Sequence, residues 1–123
     1  MKRNLSITAI LGFLAILLGA FGAHALKEKI GVERLKIFET GVKYQMYHVI
    51  VLLFVNTFQN FSPKTKNIIS IFFFIGILFF SGSLYLLTTT SISSKIIGPI
   101  TPIGGLFFMI GWLFMGYKFI QKK

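Results

Sequence analysis

Glu39-Thr40-Gly41-Val42-Lys43-Tyr44-Gln45-Met46-Tyr47-His48 is the stretch on which the fold turns. Before it lies the only strongly charged segment of the chain, Lys27 to Lys43. After it, residues 44–63 hold no Asp, Glu, Lys or Arg. A charged surface segment here passes into a membrane segment. Three more charge-free runs, 4–26, 67–94 and 96–117, flank this one, and all four span 20 residues or more. About 20 apolar helical residues, rising about 1.5 Å each, cross the roughly 30 Å hydrocarbon layer. Four such runs in 123 residues leave little for a soluble domain. The expected fold is all-α: a single domain over 1–123, an integral membrane four-helix antiparallel bundle. Its crossings fall at about 5–26, 44–61, 67–90 and 102–120.

Composition agrees. The chain is 54% hydrophobic and 13% charged, against about 25% charged in a soluble protein. It has no cysteine, which excludes disulfides and thiolate metal sites. The net charge is +10. The cations flank apolar runs instead of forming a solvated basic face, so nucleic acid is not the expected partner. The expected partners are the lipid bilayer and its anionic headgroups.

Outward from the opening stretch, residues 27–43 read as a break at Gly31 and then a helical pattern: Leu35, Phe38, Val42 and Met46 at spacings of 3, 4 and 4. This is expected to be a short amphipathic helix between helices 1 and 2. It either kinks at Gly41 or runs on into the second crossing. Upstream, Lys2-Arg3 before an apolar run, with Ala23-His24-Ala25 behind it, has the outline of a signal peptide. The run is longer than the usual h-region of about 7–15 residues. It also carries Ala15, Gly19 and Ala23 every fourth residue, with Gly12 and Gly22 beside them, a spacing that lets helices approach closely in lipid. Downstream, Gly82, Gly104, Gly105 and Gly111 are the other candidate packing positions. Ser62 to Lys66 is a turn, Gly98-Pro99 a break, and Thr101-Pro102 an N-cap with proline at the first helical position. The small-residue faces of the first and fourth helices are candidate surfaces for a homo-oligomer or a membrane partner.

With four crossings, both termini and the Lys64 turn share one side. That side holds Lys2, Arg3, Lys64, Lys66, Lys118, Lys122 and Lys123. The other holds Lys27, Lys29, Arg34, Lys36, Lys43 and Lys95. Seven cations to six is a thin bias. The basic lead of the first segment favours cytoplasmic termini.

Hairpins of this order bring His24, Gln45, Tyr47, His48, Ser81, Ser83, Tyr85 and Thr101 to one membrane face, and nothing comparable is expected at the Lys64 end. Gln45, His48, Leu52, Asn56 and Gln59 share one helix face, and polar groups at membrane depth turn toward the bundle. Such a layer can be a packing clasp of interhelical hydrogen bonds. It can be a solute or proton pathway with His48 titrating. It can be a haem or metal site built on His24 and His48. The clasp needs nothing further; no catalytic motif, cofactor or metal is expected, since nucleophile triads and paired carboxylates are missing from the sequence.

Leu18-Gly19-Ala20-Phe21-Gly22-Ala23-His24, Thr40 to His48, Phe80-Ser81-Gly82-Ser83-Leu84-Tyr85, Thr101-Pro102-Ile103-Gly104-Gly105 and Gly111-Trp112 together resemble domain-of-unknown-function family 423, also catalogued as uncharacterised protein family 0382. The resemblance implies a small four-pass protein of the bacterial cytoplasmic membrane. It implies no activity.

Overall fold

The computed structural model describes residues 2–121. Met1, Lys122 and Lys123, the last two counted above among the terminal-side cations, lie outside them. Among the described residues every element is a helix. The order is α1 (Lys2–Ile16), a π turn (Leu17–Gly22), α2 (Ala23–Thr57), α3 (Pro63–Gly76), a second π turn (Ile77–Ser81), α4 (Gly82–Thr89), α5 (Ser94–Ile97) and α6 (Ile100–Gln121). Three helical stretches are long and apolar enough to cross a membrane: Lys2–Thr57, Pro63–Thr89 and Ser94–Gln121.

The first stretch is folded back on itself. Gly31 has φ 85° and ψ 167°, a region essentially restricted to glycine. Residues 2–30 and 32–57 form two arms on either side of it. They run antiparallel: a side chain added at Gly12 would meet Val49, one at Gly19 Val42, and one at Gly22 Phe38. Asn4 reaches Asn56 across the same seam. The small residues of the first arm are thus spent on the second arm.

The amphipathic segment is not a separate helix. From Val32 the second arm continues through Gly41 to Thr57 without a kink. Gly41 has another use: an added Cβ there would come within 2.9 Å of the Tyr85 ring and 3.3 Å of the Ser81 carbonyl. The missing side chain admits a neighbour; it does not bend the helix.

Ser62 caps α3, its Oγ accepting from the Thr65 amide at 3.1 Å, with Pro63 in the first turn. Before α6 the break is slight. Gly98 stays in the right-handed helical region, and α6 begins at Ile100. Thr101 therefore lies inside α6, where it reaches Ser83, and does not cap it.

Asn4 bonds to Asn67, and the Phe119 ring lies 5.2 Å from that of Phe61. The start of α1, the turn after Thr57 and the last turn of α6 thus share one end. Gly31 and residues 90–99 lie toward the other. The core joins the second arm, α3 and α6 through Leu52, Val55, Ile69, Phe73, Phe108 and Met115. Glycines set these distances. Added Cβ atoms would strike the Phe80 backbone at Gly104, the Phe73 ring at Gly111 and the Phe108 ring at Gly76. Gly82 meets nothing within 4 Å, and Gly105 only Phe80, at 3.9 Å. Neither makes a close helix contact.

Candidate functional site

His48 sits on the inward face of the second arm because Gln45, His48, Leu52 and Asn56 fall on one helical stripe. All four are buried. Gln59, the last member of the expected stripe, lies beyond the helix end and is exposed. His48 Nδ1 is 2.7 Å from the Tyr44 carbonyl. A carbonyl can only accept, so Nδ1 carries the proton. Nε2 then presents a lone pair, and Trp112 Nε1–H donates to it at 3.0 Å. The imidazole stacks on Phe108 at 3.7 Å and 7°, and meets Phe73 edge-on at 5.0 Å. Both nitrogens have partners, and one face of the ring is stacked.

A second group lies toward the Gly31 end. Tyr85 O–H donates to Gln45 Oε1 at 2.7 Å, and Gln45 Nε2 donates to the Leu11 carbonyl at 2.7 Å. One amide thus joins three helical segments. Beside it, Ser81 Oγ donates to the Gly41 carbonyl at 2.6 Å. A third pair, Ser83 with Thr101, links α4 to α6.

His24 and Tyr47 join none of these groups. His24 is exposed, and Tyr47 is 53% exposed, packed on Tyr44. The expected common depth of the two imidazoles fails for a simple reason. The arms pair Gly22 with Phe38 and Gly12 with Val49, so His24 lies level with residues near 37. His48 is about eleven residues further along, or roughly 16 Å at 1.5 Å per residue. His24 and His48 cannot flank one iron or share one metal ion. Among the described residues, no three His, Asp or Glu side chains come together.

The Lys64 end, expected to lack polar structure, holds a fourth group. Asn4 Nδ2 donates to Asn56 Oδ1 at 3.1 Å and to Asn67 Oδ1 at 2.8 Å. Asn56 Nδ2 donates to Ser70 Oγ at 2.8 Å and to the Leu52 carbonyl at 2.9 Å. Thr8 Oγ1 donates to the Asn4 carbonyl. Asn56 was visible on the polar stripe of the second arm. Asn4 and Thr8, four residues apart on a helix, were the missing signal for its partner. Trp112, the one tryptophan, had no sequence neighbour that tied it to His48.

Residues 18–105 match the family described as Protein of unknown function (DUF423). The chain is 46% identical over 118 residues to the UPF0382 membrane protein YwdK of Bacillus subtilis, covering 92% of each. It is 42% identical over 115 residues to a UPF0382 membrane protein of Staphylococcus saprophyticus, covering 94% of each. With a UPF0382 membrane protein of Haemophilus influenzae it shares 40% identity over 122 residues, 99% of this chain and 97% of the relative. No solved structure matches the chain. By sequence and by its apolar helical architecture, the chain belongs to the DUF423 family of uncharacterised bacterial membrane proteins.

Proposed function

We propose that this is a four-crossing protein of the bacterial cytoplasmic membrane, without catalytic activity, whose internal polar groups clasp its helices together. Its work is then done at its outward faces, toward lipid, a second copy or a membrane partner. The fold-back at Gly31 supports counting the two arms of the first stretch as separate crossings. The shared end of the Asn4, Phe61 and Phe119 segments supports termini on one side. The basic lead, Lys2 and Arg3, favours the cytoplasm for that side.

One observation carries the clasp. Among the described residues, no buried side-chain nitrogen or oxygen is left without a hydrogen-bond partner. A solute or proton site leaves buried polar atoms with no partner in the protein, whereas a clasp gives each at least one. Of the small-residue faces, those of the first arm are occupied by the second. Gly116 in α6, with none of the described residues within 4 Å of an added Cβ, is the notch offered to an outside helix.

The test is His48→Ala in purified protein, measured two ways. The expected result is a lowered unfolding midpoint in detergent, with proton leak in proteoliposomes equal for both proteins and for empty vesicles. A wild-type leak that vanishes in the variant while the midpoint holds would replace the clasp with a pathway. A Soret band in the freshly purified protein would bring back a haem reading, with ligands other than the histidine pair.

A further inference from the structure

Lys2–Ile16 packs closely against the second arm, and Asn4 ties its start to α3. Between the first arm and the helix running from α3 through α4, a cleft of about 390 Å³ remains. Leu14 and Leu18 form one wall, and Phe74 and Leu78 the other. Gln45 and Tyr85 lie at its floor. Leu14 and Leu78 are exposed on the outer rim, so the opening faces sideways, where a bilayer would lie. Each wall contains a π turn, Leu17–Gly22 and Ile77–Ser81, a distortion that recurs at functional sites.

The chemistry of the cleft selects its occupant. Among the described residues no charged side chain lines it, so none of them would neutralise a phosphate or carboxylate there. Its polar floor is neutral. Gln45 Nε2 has two hydrogens, and among the described residues only the Leu11 carbonyl accepts from it. The Tyr85 oxygen donates to Gln45 and retains lone pairs to accept with. That leaves one donor and one acceptor for a small uncharged group. The volume suits a single chain: at about 30 Å³ per water-sized unit, it takes on the order of a dozen methylenes. We propose that this cleft binds one alkyl chain of a neutral single-chain lipid, with its uncharged hydroxyl or carbonyl head hydrogen-bonded to the Gln45–Tyr85 pair. The inference rests on the reading that residues 2–30 lie in the bilayer.

The experiment uses the full chain in phosphatidylcholine nanodiscs with a monoacylglycerol carrying a diazirine in its chain. Labelled positions are read by mass spectrometry. The expected result is saturable labelling of the Leu14–Leu18 and Phe74–Leu78 segments, competed by unlabelled monoolein. A lysophosphatidic acid probe of the same chain should label them at least tenfold less. Leu78→Trp, which fills the opening, should cut cleft labelling at least fivefold with the unfolding midpoint retained. Tyr85→Phe, a milder change, should erase the preference for the neutral probe. Labelling that rises linearly and equals that of Phe13, 64% exposed on the first arm, would reduce the cleft to ordinary lipid contact and overturn the proposal. So would equal labelling by the phosphate probe. A disulfide between copies carrying Leu14→Cys and Leu78→Cys, clean because the chain has no cysteine, would make a second copy the occupant. Phe13 separates the two failures. Label at Phe13 without saturable cleft labelling sinks this inference alone, and no label at Phe13 sinks the crossing of the first arm with it.

Discussion

The first arm and the helix formed by α3 and α4 are similar in length and in apolar content, yet they are held in opposite ways. The α3–α4 helix is buried among neighbours: Ile69, Ser70, Phe73 and Ser81 are all fully enclosed. The first arm buries one thin line, Asn4, Thr8, Ala15 and Ala23, mainly toward the second arm. In water, apolar burial would separate a core helix from a peripheral one. In lipid the surroundings are as apolar as the interior, so close backbone approach and hydrogen bonds must do that. The central helix has glycine contacts on two sides. The first arm relies on glycines facing valines and on asparagine at its far end.

This contrast can be broken first at its strongest point. Gly104→Val would drive a side chain into the Phe80 backbone, which cannot rotate away. The expected loss is about 3 kcal/mol or more, seen as a collapsed unfolding midpoint or failure to purify as a folded protein. Next is Asn56→Leu, which strips partners from Asn4 and Ser70 at once. Its expected cost is about 2 kcal/mol, and protease nicking of the first arm should rise before global unfolding does. A double-mutant cycle between positions 4 and 56 would then isolate the tie between arm and core. Trp112→Phe removes the indole N–H to His48 together with part of the ring that packs on Phe73. It should cost roughly 1 kcal/mol and shift the His48 ring resonances. The smallest effect belongs to Gly82→Ala. With no atom within 4 Å of the new methyl, the midpoint should stay or rise by up to about 0.5–1 kcal/mol of helix propensity.

What could be read from the residues followed from pattern. Apolar runs gave the helices their places and Gly31 announced its own break, but Ser62 to Lys66, expected as a turn, is the cap and first turn of α3. The stripe from Gln45 to Asn56 named the buried face of the second arm. Depth was another matter. Counting crossings says at which end a residue lies, not how far from it. His24 sits seven residues before the fold-back and His48 seventeen after it, so they never meet. Long-range partners were equally hidden. Trp112 finds His48 only because α6 packs on the second arm and α3 with Gly104, Gly111 and Gly76 as spacers. Gly41 left a kink and a continuous helix both open, because glycine in a helix signals either flexibility or proximity; the helix runs on.

The π turn at Ile77–Ser81 makes length itself part of the code. Upstream of it, Gly76 packs on α6; Ser81 at its end and Tyr85 beyond it address the second arm. Winding the same residues as an ordinary α-helix, with none lost, would rotate everything after them by up to about 100°. Tyr85 would leave Gln45, and Ser83 would leave Thr101. A single-codon deletion there lets the turn close as α-helix with the later residues near their old directions; the same deletion in α4 would keep the hydropathy profile nearly unchanged and still scramble which helix speaks to which.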